Sequence, residues 1–239
     1  MIDMHSHIIP TIDDGSKSVQ ETFNMIKEAK ESGFTDIIMT SHFLLDYYEP
    51  TPQEIILWKE KLQEILESKS IDLTLHSGME IYISNKLEEL IKENKVLTLS
   101  DSGYMLIELP LSTTVNYLDH ILFTLQSLSI KPIIAHPERY KCVQDDPDLV
   151  QEFIDKGALI QCNYGSILDL YGKNAKQVVK TLLKRNQVDF LGSDCHKEKT
   201  IYTIIPKAVK KIKKIIGDDA FYKISTENPK KVLNNEKWW

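Results

Sequence analysis

Arginine is nearly absent from this chain: Arg139 and Arg185 are the only two in 239 residues, and lysine supplies the rest of the 29 basic side chains. Acidic residues number 35, so the formal charge is −6, which argues against a surface built to bind a nucleic-acid backbone. Cysteine is scarce as well. Cys142, Cys162 and Cys195 are odd in number, widely spaced and without a CxxC pair, which excludes a zinc ribbon and fits a reducing compartment better than a disulfide scaffold. No apolar run approaches the length of a membrane span, and MIDMHSHIIP lacks the basic and long apolar segments of a secretion signal, so a cytoplasmic location is expected. Motifs are missing too. There is no GxxxxGK[ST] phosphate loop, no GxSxG elbow and no GxGxxG dinucleotide turn. A cysteine-based phosphatase needs arginine six positions after its nucleophile, and Asp148, Leu168 and Ile201 stand there instead.

What is present is alternation. Short β-branched or apolar runs at 2–5, 35–41, 71–79, 104–109, 131–135, 158–163 and 188–193 are separated by longer amphipathic stretches, the pattern of βα units and a parallel sheet. Ser18 and Glu21 suggest a capping box for the first helix, Val19, Phe23, Ile26 and Ala29 repeat at helical spacing, and Gly33 supplies a stop. Residues 203–216 place isoleucine, valine and alanine on one side and five lysines on the other, which reads as a solvated outer helix face. No repeat or linker divides the chain, so a single domain over 1–239 is expected. Seven βα units favour a closed or nearly closed (β/α)₇ barrel, with an open doubly wound sheet as the alternative.

In such barrels the active site forms at the C-terminal strand ends. His5 ends the first run and His7 lies just beyond it, His42 follows the second, Glu80 the third, Glu108 lies at the end of the fourth, His136 follows the fifth, and Asp194 and His196 follow the seventh. Only the sixth lacks a potential metal ligand. Two histidines one residue apart on an extended segment point to the same side, and a metal is the economical use of that geometry. Asp13 and Asp14, in the IDDG turn near His7, are candidates for one further ligand, whereas His76 and His120 fall at no strand mouth and read as ordinary structural histidines. Mixed imidazole and carboxylate ligation suits manganese, iron or zinc. If Asp14, Glu80, Glu108 and Asp194 faced three divalent ions, the centre would keep about two positive charges and suit a phosphate dianion. Adjacent metals also acidify a bound water, so no protein nucleophile is required. Arg139, three residues after His136, offers the bidentate fork that grips a phosphoryl group, or else an ion pair with Glu138 or another loop carboxylate.

The segments MIDMHSHIIPTIDDG, TSH at 40–42, GMEIY at 78–82, YMLIELP at 104–110, PIIAHPERY at 132–140 and SDCH at 193–196 together resemble the polymerase and histidinol phosphatase (PHP) family. Within it they are similar to the branch of bacterial protein-tyrosine phosphatases of capsule and exopolysaccharide synthesis. The resemblance implies a distorted TIM-like (β/α)₇ barrel, the PHP fold, with three divalent metals, usually manganese. By motif, His5, His7, Glu80 and Asp194 would hold one metal, Glu80, Glu108 and His136 a second, and Asp14, His42 and His196 a third, with Asp13 the weaker choice for Asp14's role. Arg139, His136 and Asp194 would be the catalytic residues. The implied substrate is a phosphotyrosine protein, namely the tyrosine-rich tail of a bacterial tyrosine kinase controlling polysaccharide assembly; nucleic acid and an integral membrane segment are not expected. A histidinol-phosphatase-like small-molecule phosphoesterase and a non-catalytic, metal-stabilised binding module are the alternatives. One feature departs from the branch: the loop after His196 reads HKEKTIYTIIP where a second arginine is common, leaving Lys197 or Lys199 as a stand-in point charge. The closing Lys237, Trp238 and Trp239 have no part in this scheme beyond packing on the outer helices.

Overall fold

A computed structural model describes residues 1–113 and 116–237. Seven strands, β1 (Ile2–Ser6), β2 (Asp36–Phe43), β3 (Thr74–Tyr82), β4 (Tyr104–Glu108), β5 (Lys131–Ala135), β6 (Leu159–Asn163) and β7 (Phe190–Gly192), pair in parallel in sequence order. The edges meet through a few bonds in place of a ladder. Asp194 N–H donates to His5 O at 2.8 Å and His7 N–H to Cys195 O at 3.0 Å, while the buried Asp3 carboxylate accepts from Ser193 N–H at 2.7 Å. The result is a nearly closed, distorted barrel. Its interior holds Ile2, Met4, Ile38, Leu106, Ile133 and Phe190, and Val232 of the helix Asn228–Leu233 belongs to the same cluster. Tyr104 Oη donates to Glu236 O at 2.7 Å, tying the C-terminal segment to the start of β4. That end is plugged. The opposite end is left for chemistry.

Strand positions differ from the sequence expectation most at β3, which begins at Thr74 and runs to Tyr82. Residues 71–73 follow a helix stop at which Ser70 takes φ 53°, so the chain turns before it can extend. His42 and Glu80 therefore lie within strands, paired in register, and not beyond them. The first helix, Val19–Glu31, buries Thr22, Met25, Ile26 and Ala29, whereas Val19 is exposed. Only half of the expected capping box forms: Ser18 Oγ accepts from Glu21 N–H at 3.1 Å, but the Glu21 carboxylate turns to Lys17 N–H at 2.8 Å. The lysine-faced helix spans Ile201–Ile216 and buries Ile205, Ala208 and Ile212. Trp238 and Trp239 lie outside the described residues. Among the described residues no helix is long and apolar enough to cross a membrane.

Asp189, just before β7, carries a testable cost. Its Oδ2 accepts from Ile160 N–H at 2.9 Å, and burial pushes its carboxyl pKa up to about 6. The folded chain thus binds this proton more tightly than the unfolded chain, so its ionisation weakens the fold as pH rises from about 4 through 6. Asp189→Asn keeps an acceptor and loses the charge. Urea unfolding at pH 4.5 and 7.5 should show the variant gaining about 1–2 kcal/mol on the native protein across that interval. A pH-independent difference would contradict it.

Candidate metal centre

The two leading histidines reach the barrel interior because β1 is irregular. Ile2 and Asp3 pair with Asp36 and Ile37, but Ser6 pairs with Met39, so three residues of β1 advance against two of β2. This bulge switches the inward positions from Ile2 and Met4 to His5 and His7. Without it, period-two alternation would put Met4 and His5 on opposite faces.

A hydrogen-bond chain then sets the imidazole tautomers. Asp194 Oδ2, an acceptor only, takes Asn163 Nδ2 at 2.7 Å; Asn163 Oδ1 takes Gln161 Nε2 at 2.9 Å; and Gln161 Oε1 lies 2.9 Å from His5 Nδ1. His5 Nδ1 must carry the proton. Asp13 Oδ2 likewise accepts from His7 Nδ1 at 3.0 Å, so the neutral forms of both rings present bare lone pairs at Nε2, 3.0 Å apart. Those nitrogens also face Glu80 Oε2 at 3.1 and 3.3 Å and Asp194 Oδ1 at 3.6 and 3.5 Å. Such a convergence of electron pairs calls for a cation, either protons or metal. Burial alone would lower the His7 pKa, yet its bonds to Asp13, Asp194 and Glu80 outweigh burial and raise it well above the usual value. Burial, and then the Glu80 charge, push Glu108 up to about 9. Divalent ions would relieve both.

The other side chains complete three overlapping groups: His5, His7 and Glu80; His42, Glu80 and Glu108; and His7, Asp14, His42 and His196, each with donor atoms within 4.8 Å of one another. Glu80 Oε2 is buried and accepts no well-formed hydrogen bond, although His42 Nδ1 lies 3.0 Å away in addition to His5 and His7. A bridging carboxylate fits that position. His136 Nε2 contacts Glu80 Oε1 at 2.9 Å and lies 3.7 Å from Glu108 Oε1. His136 and Asp194 take φ of 33° and 53°, strained for residues with a side chain and held by the surrounding bonds. Within the IDDG turn the two aspartates part. Asp13 is buried and spent on His7, Gly15 N–H and His42 N–H, while Asp14 Oδ1 lies 3.4 Å from His196 Nε2 and 3.7 Å from His42 Nε2. His76 is held by Asp36 at 3.0 Å, far from this cluster in the fold's register, and His120 is exposed. The donor set and its orientation therefore fit divalent metal.

A cavity of about 280 Å³ opens over these groups, with Leu44, Tyr48, Tyr82 and Leu111 on its walls and, among the described residues, Arg139 as its one arginine or lysine. Arg139 Nη1 pairs with Asp194 Oδ2 at 2.7 Å, and not with Glu138, whose Oε1 accepts from Asn163 N–H at 2.8 Å and Ser166 Oγ at 2.6 Å. Neither Lys197 nor Lys199 lines the cavity; Lys199 Nζ faces Glu198 at 3.5 Å. Strand six, which offered no ligand, supplies Gln161 and Asn163 as the supports of His5 and Asp194. Their signal in the sequence was two amides at alternate positions of the otherwise apolar strand LIQCN. Gln161→Leu removes the acceptor that orients His5 and should lower metal affinity about 10–100-fold in a chelator competition titration. Native affinity in that variant would rule out the supporting role.

The sequence signature described as "Capsular polysaccharide synthesis, CpsB/CapC" matches residues 1–234. The chain belongs to the CpsB/CapC family. Among curated relatives it is 34% identical to the putative tyrosine-protein phosphatase CapC of Staphylococcus aureus over 82% of this chain and 77% of CapC. It is 31% identical to the tyrosine-protein phosphatase YwqE of Bacillus subtilis over 99% and 92% of the two chains. A solved structure from the study of YwqE from Bacillus subtilis and CpsB from Streptococcus pneumoniae, described as unique metal-dependent tyrosine phosphatases, superposes with a TM-score of 0.93 at 31% identity, covering 100% of this chain and 96% of that one. The histidinol phosphate phosphatase of Lactococcus lactis, at 16% identity and a TM-score of 0.59 over 90% and 93% of the chains, shares the fold.

Proposed function

We propose that this CpsB/CapC chain is a metal-dependent protein-tyrosine phosphatase, acting as one catalytic domain in the cytoplasm on a tyrosine kinase of capsule or exopolysaccharide synthesis. The observation that carries the reading is the division of labour at Asp194: Oδ1 faces His5, His7 and His196, while Oδ2 holds Arg139 at the cavity wall. A phosphoryl group seated there would meet the metal centre and the guanidinium together. Three divalent ions, manganese by family resemblance, would be held by His5, His7, Glu80 and Asp194; by Glu80, Glu108 and His136; and by Asp14, His42 and His196. When bound, they would supply an acidified water as nucleophile and offset charge on the phosphoryl oxygens.

The chain's own side chains do the rest. Arg139 binds and orients the phosphoryl group through nitrogens left free by Asp194. Leu44 and Tyr48, paired across a short bridge, stand with Tyr82 beside the space for a tyrosyl ring. The test is metal analysis and turnover on one preparation, comparing phosphotyrosine peptide, phosphoserine peptide and histidinol phosphate. Manganese-dependent turnover should be greatest by far on phosphotyrosine. Preference for histidinol phosphate, or metal-loaded protein that hydrolyses none of them, would overturn the proposal.

A further inference from the structure

Arg139 has one partner that neither the metal centre nor the proposed reaction accounts for. Its guanidinium carbon lies 4.6 Å from the centroid of the Tyr171 ring, within the range in which a cation is attracted to an aromatic face. Tyr171 comes from the loop after β6, the strand that brings no potential metal ligand. That loop is built to hold the ring. Asp169 and Gly172 flank it with φ of 75° and 90°, and the ring edge lies against Gly165, where a Cβ would come within 3.2 Å of Tyr171 Cε2. The hydroxyl reaches Asp194 Oδ2 at 3.5 Å, a marginal contact next to the 2.7 Å bond from Arg139 to the same oxygen. Asp194 therefore fixes one edge of the guanidinium and Tyr171 its face.

From this arrangement we infer that Tyr171 is the positioning residue for Arg139: its ring holds the plane of the lone cavity arginine so that the free nitrogens meet a phosphoryl group. The inference rests on the phosphatase reading for its biological sense, but the geometry concerns phosphate binding alone. Its weight follows from scarcity. With no lysine among the described residues that line the cavity and no second arginine in the loop after His196, any tilt of Arg139 is uncompensated. The ring also covers one side of a side chain that is only 24% exposed, which shields the cation from water and strengthens its hold on an anion.

The test uses the full manganese-loaded chain. Inorganic phosphate binding is measured by calorimetry, and KM and kcat on p-nitrophenyl phosphate, for the native protein and for Y171F, Y171W and Y171L. Y171L should weaken phosphate binding about five- to thirtyfold, with KM rising more than kcat falls, while Y171F and Y171W restore both to within about threefold of native. In an R139A background Y171L should add nothing. Phosphate affinity in Y171L within twofold of native overturns the inference, as does Y171F as weak as Y171L, or an undiminished effect of Y171L without Arg139. If circular dichroism shows Y171L unfolded, Y171M is judged by the same criteria. A native protein that binds phosphate yet leaves phosphotyrosine peptide intact sinks the substrate reading while the series still decides Tyr171; one that binds no phosphate overturns both.

Discussion

Arg139→Ala should lower kcat/KM on a phosphotyrosine peptide about 10³–10⁴-fold, the scale associated with an arginine that stabilises a transferring phosphoryl group. The cavity offers no replacement, since Lys199 faces Glu198 and Lys197 stands outside the lining. The fold should survive. Asp194 Oδ2 keeps Asn163 Nδ2 at 2.7 Å, so truncation leaves no unpartnered buried carboxylate oxygen behind. Arg139→Lys should recover little, because an ammonium supplies a point charge without the fork that serves Asp194 and a phosphoryl group at once. Steady-state kinetics on variants with native metal content check this. A loss under tenfold would remove Arg139 from the site.

Glu80→Gln should do comparable damage by a different route. Its Oε2 is the atom on which His5, His7 and His42 converge at 3.0–3.3 Å, and its Oε1 meets His136. An amide fills the same volume but removes the negative charge and puts N–H donors where electron-pair donors are needed. Metal content should fall, and turnover on phosphotyrosine peptide should drop by more than about 10³-fold. Added manganese should raise the thermal midpoint of the native protein and leave that of the variant nearly unmoved, since a ligand stabilises only the state that binds it. Full metal occupancy with native turnover in the variant would exclude Glu80 as the bridge.

Much of this was legible in order and kind. Seven apolar runs became seven strands, with β5 at the expected residues, because buried parallel strands read as short hydrophobic runs bounded by helical patterns. Boundaries were less legible. The run at 71–79 began three residues early because Ile71 and Leu73 are apolar for packing against the core, not for extension. The first helix kept Ile26 and Ala29 on its buried face but left Val19 out and added Met25 and Thr22, the latter because its hydroxyl could be satisfied on Ile8 O and so be buried. Asp13 and Asp14 are chemically identical neighbours, and only the path of the turn separates one bonded to His7 from one aimed at His196.

By itself the sequence determined the barrel order, the inventory of imidazoles and carboxylates at strand ends, and the reliance on a lone arginine near them. These are local properties, carried by periodicity and by residue type. Tertiary structure alone decided how that inventory is aimed. The bulge in β1 turns His5 and His7 inward, a chain through Gln161 and Asn163 holds the His5 proton on Nδ1 so that Nε2 is left bare, and Tyr171 comes to lie under Arg139. Each depends on residues from different strands, or from the loops that follow them, meeting within pairing, hydrogen-bond or ring-contact distance. Such meetings follow from register and closure of the whole barrel, which no single stretch of chain encodes.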